Sequence, residues 1–147
     1  MSVNENLVAQ LRQILPDILH HTPVRLAYLY GSMATGQTLP SSDVDIALVL
    51  GRTGSSPKER MQLEFAVEAA LEQQGILKPD VRVIDDLPLT FRGQVAIQGL
   101  RLYARDEAER VEFETRTWKE YLDFEPVTRM MSQALREHLQ THGLSKG

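Results

Sequence analysis

Apolar residues recur at helical spacing from the start of the chain. Leu7, Leu11, Ile14, Leu15, Ile18 and Leu19 form one stripe at three- and four-residue intervals, which predicts a helix over 3–20 with a single buried face. Pro16 lies inside that stripe and lacks the N–H of an interior turn, so a kink or a division is expected there. Residues 24–30 are rich in β-formers and stop at Gly31, which predicts a strand. Residues 31–42 collect Gly, Ser, Thr and Pro and read as a loop. The next segment, 43–50 (DVDIALVL), is a second strand whose unbroken apolar half indicates burial on both faces.

Ser56 is placed to cap a helix with Pro57 at its first position, and that helix should run to about residue 74 and stop at Gly75. Residues 80–84 predict a third short strand, 88–99 a helix and 100–103 an extended piece. From 106 to about 142 the spacing is helical again, with a break expected at Pro126. No repeat or low-complexity linker interrupts the series. Helices alternating with short strands make a small α/β domain with a C-terminal helical extension.

Composition narrows the chemistry. The 147 residues suit one compact domain, and 42% hydrophobic with 24% charged residues is ordinary for a globular protein. The absence of cysteine excludes disulfides, a thiolate zinc site and a cysteine nucleophile. The polar start and the lack of any apolar run near ~18 residues give no signal peptide or membrane span, so a cytoplasmic protein is expected. Sixteen Lys and Arg against 20 Asp and Glu leave a net charge of −4. That balance argues against a polymerase-like grip on a long nucleic acid. It leaves room for a small nucleotide neutralised by metal, and for a basic protein partner.

Two features carry reactive chemistry. Asp43 and Asp45 are two apart on an expected strand, so both carboxylates project from one face with Cα atoms about 6.6 Å apart at ~3.3 Å per residue. Two anions on one face repel and favour a cation, and Mg²⁺ takes hard oxygen ligands shared with substrate phosphates. An isolated D-x-D is more often a solvated strand end. Here Gly31-Ser32 precedes it, directly after a strand, where glycine permits a tight turn and backbone N–H groups and the serine hydroxyl can meet an anion. No Walker loop is present.

Gly31-Ser32, ten intervening residues and Asp43-Val44-Asp45 together resemble the signature of the DNA polymerase β-type nucleotidyltransferase superfamily. Within it, the stretch YLYGSMATGQTLPSSDVDIALVL is similar to the minimal nucleotidyltransferases, and most of all to the MntA antitoxins paired with HepT toxins of the HEPN ribonuclease family. The resemblance implies an α/β (α+β) polymerase β-like fold: a small mixed sheet flanked by helices over 1–105, with 106–147 a C-terminal extension packed on the same domain. It implies Gly31 and Ser32 as triphosphate-binding residues, and Asp43 and Asp45 as ligands of one or two Mg²⁺ ions. Family members add a third acidic residue on a neighbouring strand. Asp80 is preferred, as both metal ligand and catalytic residue, because a ligand should meet the ends of the adjacent strands; Asp85 and Asp86 compete with it. Many relatives carry a basic residue after Gly-Ser, where this chain has Met33.

The implied reaction transfers AMP from ATP to a tyrosine hydroxyl of a HepT-like toxin, silencing its RNase activity. Two other readings stay open: adenylylation of a small molecule, and neutralisation of a toxin by binding alone. Neither nucleic acid nor membrane is an expected partner. Arg82 shares a face with Asp80 and is expected to pair with an acid. An apolar series from Trp118 and Tyr121 to Leu139 is expected to pack on its own domain, though it is compatible with a partner helix. His138 and His142 have zinc-pair spacing without the glutamate of H-E-x-x-H, and His20-His21 marks a helix end.

Overall fold

The computed structural model describes residues 3–36, 42–51, 55–123, 133–134 and 137–138. Its elements run α1 (Val3–Leu19), β1 (Leu26–Tyr30), α2 (Ser32–Thr35), β2 (Val44–Val49), α3 (Pro57–Gln73), β3 (Pro79–Val83), α4 (Leu89–Gln98), β4 (Leu100–Ala104) and α5 (Glu107–Asp123). Four strands form one mixed sheet in the order β3-β2-β1-β4. β1 is antiparallel to both β2 and β4, while β2 is parallel to β3. The fold is the expected mixed α+β type.

Strand periodicity divides the interior in two. Ala27, Leu29, Val44, Ile46, Leu48, Val81 and Val83 face a core completed by Leu11, Leu15 and Leu19 of α1 and by Val67 and Leu71 of α3. Leu26, Tyr28, Ala47, Val49 and Ile84 face the other way, against Val95 of α4 and Phe113 of α5. β2, central in the sheet, is therefore buried on both sides beyond Asp45, as its apolar half requires.

Three departures from the expected elements have local causes. α1 is not divided at Pro16. An interior proline costs about 3 kcal/mol, whereas each fully buried leucine contributes roughly 1.5–3 kcal/mol, and Leu11, Leu15 and Leu19 are all fully buried. The expected loop after β1 contains the single-turn helix α2, where Ala34 and Thr35 N–H both reach back to Gly31 O. The turn closes at Gly36, whose left-handed backbone donates to Ser32 O. Lastly, the extended piece after α4 is a full edge strand, β4, paired with β1 across a register shift between Ala27 and Tyr28.

α3 starts with the expected cap: Ser56 accepts from Glu59 N, and the Glu59 side chain accepts from Ser56 N. Farther along, Glu68 and Glu64 accept from Val81 N and Val83 N, each at 2.8 Å. These carboxylates pair N–H groups that an edge strand would otherwise expose. α5 is tied to the sheet by Arg25–Glu109 at 2.6 Å and by the buried Tyr28, whose hydroxyl donates to Glu114 at 2.7 Å. Tyr121 of α5 seats its ring on Gly93 of α4, where any Cβ would collide. No helix among the described residues is long and apolar enough to cross a membrane. The break expected at Pro126 and most of the later apolar series lie outside the described residues.

Candidate active site

Strand register assembles the site. Tyr30 on β1 stands opposite Asp45 on β2, and Asp45 stands opposite Asp80 on β3, so three neighbouring strands place these residues in one row. Asp43 precedes β2 by one position and shares the face of Asp45. One carboxylate oxygen from each of Asp43, Asp45 and Asp80 lies within 4.8 Å of the other two. Asp43 is exposed, and Asp45 and Asp80 are half-buried.

The electrostatics of this cluster are unfavourable as it stands. Burial holds the Asp45 carboxyl above the usual carboxylate range, and the charges of Asp80 and Asp43 push it further, with Arg82 opposing. Arg82 lies only within 3.7 Å of Asp80 through its Nε and is itself exposed, so it offsets little of the repulsion. The Asp43 and Asp45 side chains accept no hydrogen bond among the described residues. Burial, followed by the charge of Asp45, pushes the neighbouring Tyr30 phenol up to about 12.

Gly31 is dictated by Asp45. Its backbone has φ 74° and ψ −154°, a region essentially restricted to glycine. A Cβ there would lie 2.5 Å from Asp45 Oδ2. The Gly31-Ser32 turn and the acidic cluster are therefore in direct apposition, which sequence spacing alone does not show. Ser32 is half-buried, and its hydroxyl makes no hydrogen bond among the described residues. Met33 packs against the α1 side of the core, and its carbonyl accepts from Asn4 Nδ2 at 2.6 Å. The position where many relatives carry a base is here used for packing.

The competing acids have other partners. Asp85 accepts from Leu50 N and Gly51 N, each at 2.9 Å, and Asp86 pairs with Arg60 at 2.9 Å. Both stand beyond the opposite end of β3 from Asp80. His20 and His21 stack on each other with ring centroids 3.7 Å apart at the end of α1. His142 lies outside the described residues. Sequence reading missed a cleft of about 160 Å³ that opens beside Gly31, between α2 and α4, and is walled by Tyr30 and Phe91.

Residues 12–108 match the family model described as polymerase beta, nucleotidyltransferase. The chain belongs to that family. No curated protein matches the sequence. Among solved structures, a chain from a toxin–antitoxin crystallised with AMP-PNP is 20% identical, with a TM-score of 0.60 over 92% of this chain and 99% of that one. A chain from a tri-AMPylated Shewanella oneidensis HEPN toxin in complex with an MNT antitoxin is 21% identical, with a TM-score of 0.55 over 91% of this chain and 97% of that one. A third, from an MntA–HepT toxin–antitoxin, is 19% identical, with a TM-score of 0.53 over 90% and 96%. At these identities the likeness is one of fold: a nucleotidyltransferase fold of the kind found in toxin–antitoxin complexes with HEPN toxins.

Proposed function

We propose that this nucleotidyltransferase is a Mg²⁺-dependent protein adenylyltransferase of the cytoplasm. In this reading it is an antitoxin that transfers AMP from ATP to a tyrosine hydroxyl of a cognate HEPN-family RNase toxin. The observation that carries the reading is the close grouping of Asp43, Asp45 and Asp80 against the Gly31-Ser32 turn. The acceptor is supported by the fold's likeness to the complex that contains a tri-AMPylated HEPN toxin.

The residues present fit a divalent cation. Three hard oxygen donors converge, Asp45 is raised first by burial and then by the charges of Asp80 and Asp43, and among the described residues the exposed Arg82 is their counter-charge. When bound, Mg²⁺ supplies charge neutralisation for the triphosphate and for the leaving pyrophosphate. Asp43, Asp45 and Asp80 would hold it. Gly31 brings backbone close to the phosphates without a side chain in the way, and the unengaged Ser32 hydroxyl donates to a phosphate oxygen.

The tyrosine oxygen attacks the α-phosphorus in line, forming an O–P bond as the bond to the bridging oxygen of the β-phosphate breaks. Pyrophosphate leaves, and Asp80 accepts the phenolic proton. No covalent enzyme intermediate is required, so these side chains act by positioning and charge.

The test incubates the protein, Mg²⁺ and ATP labelled at the α-phosphate with a HEPN-family toxin encoded beside it. Label should appear on the toxin and fall ~10²-fold or more with Asp43→Ala or Asp45→Ala. Inhibition of the toxin by the double variant without any label transfer contradicts the transferase reading and favours neutralisation by binding.

A further inference from the structure

The order of residues across the proposed site gives the acceptor a direction of approach. The row runs from the Gly31-Ser32 turn at the end of β1, through Asp45 on β2, to Asp80 on β3. Phosphates are held at the first end and the acceptor proton is taken at the last, so the acceptor hydroxyl arrives over β3. Beyond β3 lies α3, which runs along that edge of the sheet.

At about 3.6 residues per turn, α3 brings adjacent rows of side chains to this edge. Leu63, Val67 and Leu71 face the core shared with α1. Glu64 and Glu68 form the next row and accept from Val83 N and Val81 N, closing the outer edge of β3. Met61 and Phe65 form the row after that, each one turn from a glutamate, and are 48% and 62% exposed. Val81 and Val83 point into the α1 core, so Asp80 and Arg82 point to the other side of the sheet. The Met61–Phe65 row lies on that same side, and Phe65, between the two glutamates in sequence, is level with Arg82. Arg82 is itself exposed and 3.7 Å from Asp80. Methionine, phenylalanine and arginine are the residue types enriched at protein interfaces, and two exposed apolar side chains at the mouth of a site form a patch where one alone would be ordinary.

We infer that Met61, Phe65 and Arg82 form the surface on which a protein acceptor docks, its docking segment bringing an apolar side chain to the Met61–Phe65 pair and a carboxylate to Arg82. The inference rests on the transfer of AMP to a protein hydroxyl proposed above. A small acceptor would be held among the acids themselves and has no use for an apolar platform beyond them. Because Glu64 and Glu68 occupy the outward N–H groups of β3, the acceptor binds through side chains and adds no strand to the sheet. The carboxylate follows from charge: Arg82 brings an exposed guanidinium to the rim, and its contact with Asp80 is long for an ion pair.

The test uses the full chain, Mg²⁺, ATP labelled at the α-phosphate and the HEPN-family toxin encoded beside it. Met61→Ser/Phe65→Ser changes only exposed side chains. It should raise KM for the toxin about tenfold or more, with kcat and Mg²⁺-dependent ATP affinity as in wild type; the unchanged ATP affinity also reports an intact fold. The toxin KM of wild type should rise with salt, and that of Arg82→Gln should rise less. If the double variant keeps the wild-type KM for the toxin, or loses ATP affinity along with it, the docking surface is overturned while the transfer reading stands. Equal salt dependence in wild type and Arg82→Gln overturns the carboxylate. If wild type alone sediments as a dimer that the double substitution breaks, the face belongs to a second copy of the chain and the assignment is overturned. If wild type binds ATP with Mg²⁺ but labels no toxin, the protein-acceptor reading fails and the docking surface goes with it.

Discussion

Strands β2 and β3 run parallel and carry carboxylates near both of their ends, and the two ends treat those charges in opposite ways. Beyond the C-terminal end, Asp85 receives two backbone N–H donors and Asp86 receives an arginine. Along the outer edge of β3, Glu64 and Glu68 are likewise matched to backbone N–H groups. At the N-terminal end, Asp43, Asp45 and Asp80 converge, with the exposed Arg82, 3.7 Å from Asp80, as their counter-charge. Acids that serve the fold have donors aimed at them. Among the described residues no hydrogen-bond donor is aimed at the three that converge, a cost to the fold that the proposed cation would offset.

That contrast can be broken by substitution. The largest effect is expected from Gly31→Ala, which places a Cβ against Asp45 and forces a side chain into a glycine-only backbone region. A loss of about 1–3 kcal/mol in chemical denaturation, together with loss of Mg²⁺-dependent nucleotide binding, is the expected result. A variant that folds and binds normally would show that the turn and Asp45 are not in apposition.

At the opposite end, Asp85→Ala leaves Leu50 and Gly51 N–H without their acceptor and should cost about 1–3 kcal/mol. Nucleotide binding should be unchanged. Asp85 also sharpens the comparison through pH. Burial raises its carboxyl above the usual range, and the two N–H donors only partly offset this. A raised folded-state value means that the folded chain holds the proton more tightly than the unfolded chain. The resulting stability is full below the usual carboxylate value and lost as pH rises through the raised one. Across that window the stability of wild type relative to Asp85→Asn should fall as pH rises, measured by chemical denaturation of both. The smallest effect belongs to Asp86→Asn, because the Asp86 side of its pair with Arg60 is exposed; a change under ~1 kcal/mol is expected in the same unfolding assay.

Much of this was legible in the sequence, and the exceptions share a cause. The strand ending at Gly31, the D-x-D strand after it and the capped helix at Ser56 follow from local pattern, and a side-chain period of two puts Asp43 and Asp45 together without further information. The choice among Asp80, Asp85 and Asp86 depends on the register of β3 against β2, which is a long-range fact. The same holds for β4, which reads as extended but takes its meaning from pairing with β1. α2 was hidden because its glycine- and serine-rich flanks look like loop, and its turn is set by the conformations of Gly31 and Gly36. Glu64 and Glu68 look like ordinary surface acids until the edge of β3 arrives beside them. The cleft joins residues about 60 positions apart in the chain, so no window of sequence contains it.

The central claim is that the acidic cluster awaits a cation and a nucleotide, and thermal unfolding at neutral pH of wild type and Asp45→Asn, each with and without Mg²⁺ and ATP, tests it most directly. Without ligand, the asparagine variant should melt higher than wild type, because one repelling charge has been removed. With Mg²⁺ and ATP, wild type should rise by linkage to binding while the variant stays where it was. A variant that melts lower than wild type without ligand, or that responds to Mg²⁺ and ATP as wild type does, would contradict the account.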